Sequence, residues 1–95
     1  MKQSLGMVEV VGITTATAAI DAMCKNAFVK VAAIEQSGAG WLTIIIEGDL
    51  ASVQAALEVG ADAASYHGQV IAVKSIPRPD PGLYDTLVKG AGENS

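Results

Sequence analysis

Apolar and polar positions along the chain change period several times, and these changes divide it into short elements. Leu5 to Val11 is rich in β-branched residues and bounded by Gly6 and Gly12, the mark of a first strand. Ile13 to Ala27 follows, with Ala16, Ala19, Ile20, Met23 and Ala27 at the spacing of an amphipathic helix. Thr14 or Thr15 is the expected cap of that helix. Phe28 to Glu35 reads as a second strand, with Phe28, Lys30, Ala32 and Ile34 on one face. Val29, Val31 and Ala33 then fall on the other.

The small-residue turn Ser37-Gly38-Ala39-Gly40 separates this strand from a third, Trp41 to Glu47, and predicts a hairpin. Gly48-Asp49 ends the third strand, with Asp49 the expected N-cap of a second helix running from Leu50 to about His67. Its inner stripe is Val53, Ala56, Leu57, Gly60, Ala61 and Ala64, small enough to lie close against a sheet, and Gly68 is the expected stop. Val70 to Ile76 is a fourth strand, broken by Pro77-Arg78-Pro79-Asp80-Pro81, since proline has no N–H for a ladder. A short helical turn from Leu83 to Val88 and a small polar tail complete the reading. The order β-α-β-β-α-β predicts an α+β, ferredoxin-like fold with both helices on one sheet face. One domain is expected over residues 4–88, with a frayed tail over 89–95. This fold hosts many unrelated functions.

Composition sharpens the picture. The 95 residues are 51% hydrophobic and 17% charged, against about 25% charged in an average soluble chain. Mean hydropathy is positive at +0.39, yet so short a chain keeps a large share of itself at the surface. A membrane does not account for the excess. The longest apolar stretch, Trp41 to Ile46, contains Thr43 and ends at Glu47, whereas a spanning helix needs about 20 apolar residues. Burial between subunits does account for it, which predicts an obligate homo-oligomer. Six Lys and Arg against ten Asp and Glu give a net charge of −4 with no basic run, so nucleic acid is not an expected partner. The N-terminus lacks the apolar core and cleavage site of a secretion signal. A single cysteine, Cys24, suits a reducing cytosol.

Catalysis needs convergent polar side chains, and the chain has one His, one Cys and one Arg. His67 reads as a helix-terminal residue favoured by the helix dipole. Cys24 is expected to pack inertly near the inner face of the first helix. No Cys/His pair has metal-ligand spacing, and no cofactor is expected. Gly38-Ala39-Gly40 joins strand to strand and lacks the third glycine of a dinucleotide fingerprint. Four features remain: the glycine turn, Lys25 near the end of the first helix, Arg78 clamped between two prolines, and Trp41 beside the turn.

In register, these features resemble the single-domain shell proteins of bacterial microcompartments, the BMC domain family. The likeness runs through Leu5-Gly6-Met7-Val8-Glu9, Asp21-Ala22-Met23-Cys24-Lys25, Gly38-Ala39-Gly40, Glu47-Gly48-Asp49-Leu50-Ala51-Ser52-Val53, Gly60-Ala61 and Ile76-Pro77-Arg78-Pro79. It spans residues 4 to about 88 and is closest in pattern to the propanediol- and ethanolamine-type metabolosome hexamers. The resemblance implies a structural role without catalysis. Homohexamers would tile into the facets of a cytoplasmic organelle shell, in lateral contact with other shell hexamers, trimers and pentamers, around encapsulated enzymes. It implies no nucleic acid and no membrane.

The resemblance also assigns positions. Ser37, Gly38, Ala39 and Gly40 match the family's pore loop on the sixfold axis, and Lys25 and Arg78 match the residues of the hexamer–hexamer seam. This chain departs from the pattern at Ala39, where many relatives carry serine, so the lumen loses six hydroxyls and becomes less hospitable to ions. It departs again at Trp41, where smaller aliphatics are usual. Glu47 replaces a frequent arginine and alters the charge near a subunit contact. The rival from another class is an oligomeric ferredoxin-like regulatory domain binding a small metabolite.

Overall fold

A computed structural model describes residues 3–26, 28–77 and Val88. Its elements are β1 (Ser4–Val11), α1 (Ile13–Asn26), β2 (Lys30–Gln36), β3 (Trp41–Gly48), α2 (Leu50–Ser65) and β4 (Val70–Ile76). They build one antiparallel sheet of order β2-β3-β1-β4, the α+β arrangement expected of the β-α-β-β-α-β pattern. Arg78, the Leu83–Val88 turn apart from Val88 itself, and the 89–95 tail lie outside the described residues.

Both helices cover one face of the sheet, where Val8, Val10, Leu42, Ile44 and Ile46 meet Ala16, Ala19, Met23, Val53, Ala56, Leu57 and Ala64. Val8, Ile44 and Ile46 are completely buried, and each such side chain contributes about 1.5–3 kcal/mol. Leu5 and Ile45 are also buried, but they alternate onto the opposite face and stand outside that cluster. The helices can lie this close because their stripes are small. A β-carbon on Gly6 of β1 would sit 2.8 Å from Val53 Cγ1, so α2 rests directly on the strand backbone.

Four local expectations need correction. Thr14 and Thr15 lie inside the first turn of α1, not ahead of it; the residue before the helix is Gly12, with φ +91°. Phe28 precedes β2, and the strand's faces do not alternate as the sequence suggests. Val31 pairs with Ile46 and Ala33 with Ile45, so Ala32 is an unpaired bulge residue and Ile34 joins the Val31 face. Helix α2 ends at Ser65, short of His67. Gly68 has no left-handed φ, and a β-carbon there would collide with the Thr15 hydroxyl, so close packing and not a C-cap demands glycine. Cys24 is exposed, because it follows buried Met23 by one residue and so turns about 100° away from the packed side of α1.

Candidate functional site

The hairpin between β2 and β3 is rigid at its base and open at its tip. Ser37 donates its N–H to the Trp41 carbonyl at 2.9 Å, and Gly40 donates to the Ser37 carbonyl at 3.3 Å. Gly40 has φ +81°, the left-handed conformation that closes a three-residue hairpin loop and is easiest for glycine. Gly12 donates its N–H to the Gly40 carbonyl at 3.0 Å, which ties the turn to the junction of β1 and α1. Residues 37–40 are all exposed.

This geometry refines what the turn can offer a solute. The N–H groups of Ser37 and Gly40 are consumed inside the hairpin. Among the described residues, those of Gly38 and Ala39 have no hydrogen-bond partner. Two donors per chain are thus available, on a tip whose side-chain carbons are the Ala39 methyl and the Ser37 hydroxymethyl. The Ser37 hydroxyl itself donates to the Trp41 carbonyl at 3.4 Å.

Lys25 stands exposed in the last turn of α1, where the carbonyl end of the helix favours a cation. It and the turn belong to different parts of the molecule: the hairpin caps one end of β2, and Lys25 precedes the other. Glu47 is 8% exposed and forms an ion pair with Lys30 at 3.1 Å. The two residues face each other in the β2–β3 ladder. Sequence reading missed this pair because only strand register brings residues 17 positions apart together.

Asp49 caps α2 as expected. Its carboxylate accepts the Ser52 N–H at 3.0 Å and the Ser52 hydroxyl at 2.8 Å. These bonds, the backbone one first, hold the Asp49 carboxyl below its ordinary value of 3.8. That role is structural. A shallow groove of about 540 Å³ lies along α1, lined by residues that include Ile13, Thr17, Asp21 and His67, and takes in neither the turn nor Lys25. Among the described residues, no group of three or more His, Cys, Asp and Glu is placed to hold a metal. Among the described residues, no helix is long and apolar enough to cross a membrane.

Large hydrophobic side chains remain at the surface. Phe28 is 92% exposed, Tyr66 80% and Ile13 69%, and the edge strands add Ile34 and Val73. Their spacing along the chain gave no warning, since Phe28 read as a strand residue and Ile13 as the start of a helix.

Residues 4–79 match the BMC domain family. Among curated proteins, the chain is 44% identical over 92 residues to the bacterial microcompartment shell protein PduA of Salmonella typhimurium, covering 97% of this chain and 98% of the relative. It is 38% identical over 95 residues to the shell protein EutM of Escherichia coli K12, covering 97% and 98%. Among solved structures, a microcompartments protein from Desulfitobacterium hafniense superposes with a TM-score of 0.80 at 28% identity. That superposition covers 94% of this chain but 48% of the solved one, so this chain spans about half its length.

Proposed function

Since the chain belongs to the BMC domain family and is a structural shell protein of a bacterial microcompartment, we propose that it acts as a cyclic homohexamer with a metabolite pore. Six hairpins meet on the axis of this ring. Gly38 and Ala39 present the free N–H groups there, and the Ala39 methyl keeps the constriction uncharged. Ions lose hydration at such a point without replacement, and small uncharged molecules pass more readily. Lys25 and Arg78 lie along the hexamer–hexamer seam. Their weak individual contacts sum over a facet, where the ring meets other hexamers, trimers and pentamers around encapsulated enzymes. The chain performs no catalysis of its own, and its place is a microcompartment shell in the cytoplasm.

The observation that best supports the ring is the apolar surface left by the single chain. Phe28, Ile34 and Val73, with two sheet edges unpaired among the described residues, gain by burial in a closed assembly, which leaves no edge open. Native mass spectrometry with negative-stain imaging tests the proposal. A hexamer that forms sheets or tubes supports it. A monomer, or a dimer or trimer stabilised by a metabolite, overturns it.

A further inference from the structure

Trp41 directly follows the turn, and its carbonyl accepts hydrogen bonds from both the N–H and the hydroxyl of Ser37. The backbone that carries the indole is therefore the braced base of the hairpin. Trp41 pairs with Val11 in the β1–β3 ladder, while the next residue, Leu42, is buried under the helices. Alternation along β3 thus places the indole on the sheet face away from the helices. It stands outside the core cluster and is 39% exposed, so part of the indole is open to a solute.

We infer that Trp41 is a specificity-determining residue of the pore, forming an aromatic collar at one of its two mouths. This inference rests on the pore reading. Consecutive α-carbons are about 3.8 Å apart, so a ring that gathers Gly40 around an axis gathers Trp41 one residue behind it. The collar lies at the mouth on the sheet face opposite α1 and α2. The opposite mouth carries no second indole, because the chain contains one tryptophan. An indole face is apolar and carries partial negative charge. It favours a small neutral organic molecule with an exposed hydrocarbon face. To an inorganic anion it returns nothing for lost hydration. The two mouths therefore differ in chemistry, and the collar selects before the constriction does.

The lone tryptophan makes its own fluorescence the probe. Indoles gathered around one axis exchange excitation, so the emission of native hexamers is depolarised. Excitation at the red edge of the band, or dilution with Trp41→Phe chains, restores the polarisation. Quenching by acrylamide, compared with the free amino-acid amide, exceeds quenching by iodide by about two- to tenfold, the range of an aromatic contact. Raised salt separates this from a charge effect, since it screens the repulsion of iodide by the acidic protein. Hexamers without depolarisation, or with acrylamide and ion quenching in the free-indole ratio, overturn the collar and leave the ring intact. A monomer by native mass overturns the ring and the collar together.

Discussion

Gly60 on α2 lies against the Met23 side chain on α1 with no room between them even for a β-carbon. Met23 is completely buried, so it cannot swing out to solvent to make room. The crossing of the two helices is set at this contact.

Gly60→Val is therefore expected to destabilise the fold by about 1–3 kcal/mol through overpacking. Met23→Ala removes the obstacle but leaves a cavity, at a cost of about 2–5 kcal/mol. The double variant should lose less than the sum of the two. Urea unfolding of all four proteins gives the coupling, and strictly additive losses would show that the residues do not meet.

Asp49→Ala should lower the melting temperature, and Asp49→Asn less so, because an amide oxygen still accepts the Ser52 N–H. The carboxyl is held below its ordinary 3.8 in the folded chain. Its contribution is therefore fully present above that value and is lost as pH falls through the lowered one. Thermal melts across the acid range should show a shallower pH dependence in Asp49→Ala than in the native chain.

Lys25→Asp should abolish sheets and leave hexamers intact. The residue is exposed and makes no core contact, so the fold persists, at a cost of about 0.3–1 kcal/mol for an anion at the carbonyl end of α1. Negative-stain imaging beside native mass separates the two levels of assembly. Normal tiling by this variant would remove Lys25 from the seam.

Ala39→Phe should slow passage of the pathway's substrate through assembled shells without changing hexamer mass. The turn is fixed by Ser37, Gly40 and Trp41 bonds that do not involve the Ala39 side chain. Unaltered flux would place the constriction elsewhere.

Much of the molecule was legible along the chain. The helix stripes of α1 and α2, the Asp49 cap, the hairpin at Ser37 to Gly40 and the bounds of β4 follow from local spacing and turn chemistry. The Ala32 bulge was not legible, because an extra residue shows itself only against the partner strand. The exposure of Cys24 was missed for a related reason. A helix side is buried only where something packs on it, and on α1 that side carries Met23 while Cys24 turns about 100° away from it.

The glycines mark the same boundary. Gly40 is required by backbone conformation, which turn composition signals directly. Gly6 and Gly68 are required by neighbours distant in the chain, and nothing beside them in sequence says so; the small-residue stripe at Gly60 announced a close approach, but not that Met23 of α1 makes it. The amino-acid order by itself determined the elements, their sequence and the surplus of apolar surface, since these depend on periodicity and composition. Tertiary structure alone decided which side chains stay outside, which N–H groups of the turn remain free and which face carries Trp41. Each of these depends on what a second strand or helix covers.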